Sequence, residues 1–243
     1  MRTLINVSLL CVGAVVFLFA TGLLWLYYYS RDLPDLGALA KFAPMTVTRA
    51  YDPCLKREAL AIPYDSIGTN LRNALNAAEV REDDPGVLTA TYRSFTDHAL
   101  HRATLSMQIS RTLFCSPSRP LKRSLAELRT AAQLERRFSR RELLTIYTNR
   151  AYFGEDLNGA QAGAQHLFHK NPDGLDVGEA ALLAALIKSP SLYSPVKHPD
   201  RALMRRNQII DAMIASGDLS SSDGGIAKAS PLGIATVESN AAK

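Results

Sequence analysis

The chain contains 243 residues, of which 28 are basic and 23 acidic, so its formal net charge is +5. This length gives room for one domain of ordinary size plus appendages. The basic excess suits anionic partners such as phosphate groups or a lipid surface, although it does not exclude an ordinary soluble enzyme. The three cysteines, Cys11, Cys54 and Cys115, lack the paired spacing of a zinc site or a redox motif. A single disulfide between Cys54 and Cys115 stays open.

The N-terminal stretch from Leu4 to Tyr29 is apolar and carries no charge. It exceeds the roughly 20 residues that a helix needs to cross a bilayer, so residues 1–30 are predicted to form a transmembrane anchor. A cleaved signal peptide would end its apolar core at a small-residue site, but the only candidate, Ala20 to Gly22, is followed by more apolar sequence. Trp25 and the tyrosines at 27–29 gather at one end, where such rings favour the headgroup layer.

Four prolines mark the next stretch, residues 31–65, as an extended stem; they are Pro34, Pro44, Pro53 and Pro63. Within it, residues 45–52 alternate in polarity like a strand, which predicts a small hairpin.

Two helices with clear start signals are predicted further along the chain. The first begins at Pro120 and ends at Arg137, with an apolar face made by Leu121, Leu125, Leu128 and Ala132. On another face of this helix Arg123 and Glu127 stand one turn apart, which by itself indicates no more than a solvated ion pair. The second helix begins with a capping box of Ser139 and Glu142 and continues to Asn149. Because the link is so short, the two helices must pack closely.

The remaining predicted elements are also helical. Residues 160–168 form a helix of small residues, and a second box-like start at Asp176 and Glu179 precedes a helix that is apolar nearly all round and therefore buried. A last helix, at about 200–216, turns Leu203, Ile210, Met213 and Ile214 inward and stops at Gly217. From residue 218 the chain becomes a small polar tail with at most one short helix before Ser230. No internal repeat is present.

The strings QLERRFSRRELLTIYTNRAYFG (133–154), NGAQAGAQHLF (158–168) and GEAALLAALIKSPSLYSP (178–195) closely resemble the glycosyltransferase domain of bacterial peptidoglycan synthases. These include the class A penicillin-binding proteins and the monofunctional biosynthetic transglycosylases. The resemblance covers roughly Leu33 to Gly217 and is densest from Leu121 to Pro195. It implies a mainly α fold, with a lysozyme-like helical glycosyltransferase domain over residues 66–217 and a polar tail over 218–243. No transpeptidase domain fits.

The resemblance also implies the location of the domain, on the periplasmic or extracellular side of the cytoplasmic (inner) membrane, behind a single span. The positive-inside rule predicts the opposite orientation, because the three basic residues after the span, Arg31, Lys41 and Arg49, outnumber the one before it, Arg2.

Glu79 falls on the glutamate of the family's first motif, which continues with an aspartate, a phenylalanine, a histidine and a glycine. Here Val80 follows, and both the aromatic residue and the histidine are missing. The resemblance implies that Glu79 is the catalytic general base.

The second motif keeps three polar positions, Thr104, Gln108 and Arg111, which the resemblance assigns to substrate binding. At helical spacing they share one face, opposite Leu105, Ile109 and Leu113. Residues 101–103, which include His101 and Arg102, replace the glycines and serine of the family and remove the permissive backbone that a close approach to substrate would use. The residues alone are equally consistent with a simple helix start and a solvated face.

The third motif falls on the helix that begins at Pro120, with Arg123 in its basic position, Ser124 where a lysine is usual and Glu127 at its glutamate. The resemblance implies that Glu127 is a second catalytic carboxylate and that Arg123 and Arg111 handle the donor diphosphate. It also implies Mg2+ or another divalent cation, which Glu127 could hold. Glu79 and Glu127 are 127 − 79 = 48 residues apart, so only the fold can bring them together.

The implied reaction takes place on lipid II: the 4-hydroxyl of an acceptor sugar displaces polyprenyl diphosphate from the anomeric carbon of the growing glycan. The implied partners are lipid II, the nascent glycan strand, the membrane and a transpeptidase; no nucleic acid is expected. Two alternatives stay open. A member that has lost turnover would bind or scaffold the cell-wall machinery, as the altered first two motifs suggest, and a glycan hydrolase would also use a pair of carboxylates.

Overall fold

The computed structural model describes residues 2–29, 36–52, 57–79, 86–87, 89, 104–114 and 120–235. The side chains of residues 2–11, 26, 29, 57, 79 and 120–122 lie outside this description. Cys54 and Cys115, whose pairing the sequence leaves open, also fall on residues outside it, as do His101 and Arg102.

The described residues are mainly helical, as the sequence predicted. The helices are α1 (Arg2–Tyr29), α2 (Thr69–Glu79), α3 (Leu105–Leu113), α4 (Pro120–Arg137), α5 (Arg140–Arg150), α6 (Ala160–Phe168), α7 (Val177–Lys188), α8 (Pro199–Ala215) and α9 (Ser221–Ala229). Strands β1 (Thr48–Asp52) and β2 (Arg57–Ala61) pair antiparallel, which confirms the predicted hairpin.

Helix α1 covers the stretch from which a transmembrane span was predicted. Among the residues that the structure describes, however, no helix combines the length and the apolar character needed to cross a membrane.

Helix α7 is the centre of the core, because residues from Gly178 to Leu186 are all buried. An apolar helix of this kind can be buried only if other elements cover every side of it. Here α2 and α8 pack against it most extensively, and α6 and α9 complete the cover. Its N-terminus carries the predicted capping box, since the Asp176 side chain accepts from the Glu179 N–H and the Glu179 carboxylate accepts from the Asp176 N–H.

Helix α4 has the predicted bounds, and α5 begins with the predicted box of Ser139 and Glu142 and ends at Arg150, one residue beyond the predicted Asn149. The hydrogen bonds from Ser139 lower the pKa of Glu142 from its ordinary value. The buried face of α4 was predicted wrongly, because Leu125 and Leu128 are only half-buried. The buried positions are instead Ala126, Thr130, Ala131 and Leu134. Small residues face inward because α3 packs closely on this helix.

The predicted stem packs on the helical domain through Asn149, which is fully buried near the end of α5. Its amide Nδ2 donates to the carbonyls of Phe42 (2.9 Å) and Ile62 (2.8 Å), and its Oδ1 accepts from the Ile62 N–H (3.1 Å). One side chain therefore joins the segments on either side of the hairpin to α5, and it fixes β1 beside the end of that helix.

The C-terminal segment also packs on the domain. Helix α8 ends at Ala215, with Ser216 as its C-cap. Gly217, at which the helix was predicted to stop, follows directly and has a φ of 82°, the left-handed conformation that glycine adopts readily. The predicted inward position of Leu203 is wrong, since that side chain is 37% exposed, whereas Ile210 and Met213 are buried. The short helix expected before Ser230 is α9.

Candidate active site

A cleft of about 810 Å³ lies between the hairpin and the helices. Its walls come from β1, the end of α2, α3, the C-terminal half of α5, the end of α7 and α8. The residues that line it are Asp52, Ala78, Gln108, Ile109, Arg111, Thr112, Ile146, Tyr147, Arg150, Ala151, Tyr152, Ile187, Lys188, Pro190, Tyr193 and Arg205. The described lining residues include four basic side chains and one acidic side chain, which makes this part of the cleft cationic, and the three tyrosine rings among them suit a sugar face.

Asp52, the one acid among the described residues that line the cleft, forms a buried ion pair with Arg150. The Asp52 Oδ2 lies 2.8 Å from both Nε and Nη2 of Arg150, and the two side chains are only 2% and 5% exposed. Nη2 of Arg150 also donates to the carbonyl of Thr112 at 3.3 Å. Because Asp52 neutralises Arg150, the net positive charge of the cleft comes from Arg111, Lys188 and Arg205.

The second predicted carboxylate, Glu127, lies between two arginines beside the cleft. Nε of Arg123 donates to Glu127 Oε1 at 2.7 Å, and Nε of Arg111 lies 3.8 Å from Glu127 Oε2. The Glu127 side chain is 18% exposed, whereas those of Arg123 and Arg111 are 37% and 56% exposed. The fold thus brings together three of the predicted residues from α3 and α4, and the two guanidinium groups keep a surface open to an incoming anion.

The other residues of the second motif differ in position. Gln108 lines the cleft, and its Oε1 accepts a hydrogen bond from the Tyr147 hydroxyl at 3.1 Å. Thr104 is buried as the N-cap of α3, where its hydroxyl oxygen accepts from the Met107 N–H. Thr104 therefore supports the helix that carries Gln108 and Arg111 and does not line the cleft.

The predicted general base, Glu79, is the last residue of α2. Its side chain lies outside the described part of the chain, but its neighbour Ala78 lines the cleft. The backbone at Glu79 is therefore next to the cleft wall, while the direction of its carboxylate and its approach to Glu127 stay predictions.

The described residues do not by themselves fit a divalent cation. Mg2+ binds several oxygen ligands, and Glu127 offers one carboxylate whose two oxygens each face a guanidinium group. Within the described ranges, no three His, Cys, Asp or Glu side chains gather in a group that could hold a metal ion.

Sequence reasoning did not identify Asp52, Arg150, Lys188 or Arg205 as site residues. Asp52 and Arg150 are 98 residues apart in the chain, and no local pattern indicates that they meet. No local pattern marks the other two either. Lys188 lies in the last turn of α7, where a basic residue is common, and Arg205 is followed by the polar residues Arg206 and Asn207.

We expect Asp52→Asn to lower the free energy of unfolding by about 3 kcal/mol, because it leaves the guanidinium of Arg150 buried without a counter-charge. The double variant Asp52→Leu/Arg150→Met removes both charges. Its free energy of unfolding should therefore be closer to the wild-type value than that of a variant in which only one of the two charges is removed. Urea unfolding of the three proteins checks this. If Asp52→Asn alone unfolds at the wild-type urea concentration, the pair contributes nothing to stability.

A family model described as transglycosylase matches residues 47–214. The chain is 31% identical over 229 residues to penicillin-binding protein 1A of Rickettsia bellii, covering 86% of this chain and 29% of that protein. It is 30% identical over 221 residues to penicillin-binding protein 1A of Aquifex aeolicus, covering 84% of this chain and 30% of that protein. The chain thus spans less than a third of the length of these curated relatives.

Among solved structures, a crystal structure of penicillin-binding protein 1A from Haemophilus influenzae is 30% identical in the aligned part. The alignment covers 42% of this chain and 16% of that chain, and its TM-score is 0.38.

Proposed function

Because the chain belongs to the transglycosylase family, with the family match covering most of its length, we propose that it is a membrane-anchored peptidoglycan glycosyltransferase that polymerises lipid II. In this proposal the acceptor sugar's 4-hydroxyl attacks the anomeric carbon of the donor glycan. The bond from that carbon to the diphosphate oxygen breaks, and the polyprenyl diphosphate leaves with the electron pair. A transpeptidase is the proposed partner that would then cross-link the product.

The observation that carries this proposal is the arrangement of Arg111 and Arg123 around Glu127 beside the cationic cleft. Arginine recognises phosphate oxygens through paired, directed hydrogen bonds, so two guanidinium groups on a common face suit a diphosphate. Glu127 fixes both groups before substrate arrives, which reduces the reorganisation needed when charge develops on the leaving oxygen. Glu127 therefore acts in this reaction by holding the arginines.

Glu79 is the proposed general base. It would take the proton of the acceptor hydroxyl as the new glycosidic bond forms, which is the type of contribution that a well-placed carboxylate makes in such displacements. The proximity of Ala78 to the cleft supports this role.

The divalent cation implied by the resemblance would have to arrive with the diphosphate. The substrate's phosphate oxygens and water would then supply most of its ligands, as is usual for Mg2+ at phosphate sites. No protein carboxylate beyond Glu127 is required by this arrangement.

Helix α1 is the proposed membrane anchor, with the enzyme domain on the outer face of the cytoplasmic membrane. The large apolar side chains described on it are at least half exposed; they include Val15, Phe17, Leu18, Phe19, Leu23, Leu24 and Trp25. The hydroxyl of Thr21, in the middle of the apolar run, donates to the carbonyls of Phe17 (2.9 Å) and Leu18 (3.0 Å). Because the hydrocarbon core of a bilayer contains no water, a polar group there must form its hydrogen bonds within the protein, as this hydroxyl does. Lipid is therefore the environment that covers this surface.

A second candidate function is a family member without turnover that binds or scaffolds the cell-wall machinery. The altered residues of the first two motifs favour it, since Val80 replaces an acid and residues 101–103 replace the flexible glycines.

Purified full-length protein in lipid vesicles, supplied with lipid II and Mg2+, tests the proposal. The expected product is a glycan polymer that lysozyme digests, and a mock purification from cells that do not express the protein controls for contaminating synthases. Binding of lipid II without polymer would support the scaffolding function instead. Release of fragments from finished peptidoglycan would indicate a hydrolase and contradict both.

We expect Arg123→Ala to lower kcat/KM for polymerisation by about 10- to 100-fold, because one of the two diphosphate-facing guanidinium groups is lost. The same variant should be inhibited less by inorganic diphosphate, since this ion uses the same groups. Arg137→Ala, an exposed arginine on the same helix, is the matched control and should behave as the wild type. Unchanged inhibition of Arg123→Ala by inorganic diphosphate would contradict the assignment.

A further inference from the structure

Helix α1 contacts the helical domain through α4. The guanidinium carbon of Arg129 lies 5.2 Å from the centre of the Tyr27 ring, within the range of a cation–π contact. Tyr27 belongs to the aromatic end of α1, where Trp25 and Tyr28 are also largely exposed. In a membrane-anchored chain such rings lie at the headgroup layer, so the contact places this part of α4 at the same depth.

The same helix carries the proposed diphosphate site. Arg129 follows Glu127 by two residues and Arg123 by six, which at 1.5 Å per residue corresponds to about 3 Å and 9 Å along the helix axis. Helix α4 also packs on α3, which carries Arg111. One rigid helix therefore links the interfacial ring of the anchor to the groups that would receive a diphosphate.

We propose that Arg129 is a positioning residue, which by its contact with Tyr27 holds the diphosphate site at the depth of the lipid headgroups. The inference rests on the proposed function and adds a preference to it. The enzyme favours a diphosphate that a long polyprenyl tail holds at the bilayer surface over the same headgroup dissolved in water. The preference arises because the bilayer presents the diphosphates of lipid-linked substrates at one depth, and the Arg129 contact fixes the arginines at that depth.

The effect of the contact between Arg129 and Tyr27 depends on its location in the molecule. Tyr27 is 60% exposed and Arg129 is half-buried, so the contact adds little to the hydrophobic core. A guanidinium on a ring is worth more where water is partly excluded, as it is in the headgroup layer. Loss of the contact should therefore change the position of the domain at the membrane surface far more than it changes the stability of the fold.

The test compares two substrates with the full chain in vesicles: lipid II with its natural long tail in the same bilayer, and a water-soluble short-tail analogue. With Arg129→Ala we expect the KM for the long-tail substrate to rise about fivefold with kcat unchanged, and both constants for the soluble analogue to stay at wild-type values. Tyr27→Ala should have the same effect. Arg129→Lys, which keeps a cation, should restore part of the KM, and Tyr27→Phe, which keeps a ring, should match the wild type.

The inference is overturned if Arg129→Ala and Tyr27→Ala impair both substrates equally, since that is the result of a purely structural contact. It is also overturned if neither variant changes the KM for the long-tail substrate. Because Tyr27 is exposed, its variant keeps the test valid even if Arg129→Ala folds poorly. A wild-type protein that polymerises neither substrate would instead refute the proposed function, on which the inference depends.

Discussion

Glu79→Gln is expected to lower kcat for lipid II polymerisation by about 100- to 10,000-fold, the contribution that a positioned general base typically makes. The amide has nearly the shape of the carboxylate but cannot accept the proton of the acceptor hydroxyl. Substrate binding through Arg111 and Arg123 does not use this group, so the KM should change little. The measurement is the initial rate of glycan formation at several lipid II concentrations.

The matched control for this change is Glu58→Gln. Glu58 is an exposed acid on β2, 3.8 Å from the exposed Arg49, and exposed pairs of this kind contribute little. The control should therefore retain the wild-type rate. If Glu79→Gln also retains the wild-type rate, another group accepts the hydroxyl proton. Glu79 would then match the family's motif without acting as the general base.

Local rules predicted most of the fold from the sequence. The boxes at Ser139 and Asp176 are hydrogen-bond patterns within four residues, and α7 is identified by an apolar run that has no other stable location. The buried face of α4 could not be predicted in the same way. That face is chosen by the helices that pack against it, and small residues such as Ala126 and Ala131 carry almost no periodic signal of their own.

The candidate site was predicted only in part, and the reason is again the range of the interactions. Arg123 and Glu127 are one turn apart on a helix, so their contact follows from spacing. The pair of Asp52 and Arg150 depends on how the hairpin packs against α5, which is decided by Asn149 and its bonds to residues about 90 to 110 positions away. Thr104, which the resemblance assigns to substrate binding, is the N-cap of α3, a role for which threonine is equally suited.

A second buried arginine should matter more to stability than any surface group of the chain. Arg206 on α8 is completely buried, and its guanidinium donates to the carbonyls of Lys228 (2.9 Å), Ser230 (2.8 Å) and Pro231 (3.0 Å). Burial lowers the pKa of Arg206 from its ordinary value, and the nearby charge of Asp176 opposes this shift. The three carbonyls lie at and beyond the end of α9, so a single side chain fastens the C-terminal segment to the core.

Arg206→Ala is therefore expected to lower the free energy of unfolding by about 4 kcal/mol, since it removes the donor of three carbonyls and leaves a cavity in place of a fully buried side chain. Arg206→Lys keeps the charge but cannot reach all three carbonyls. Its free energy of unfolding should therefore lie between those of the wild type and of Arg206→Ala. Arg201→Ala removes an exposed arginine from the same helix and should change stability by less than about 0.5 kcal/mol. Denaturant unfolding followed by circular dichroism measures all three. Equal midpoints for Arg206→Ala and Arg201→Ala would show that the C-terminal segment is held to the core by its apolar contacts alone.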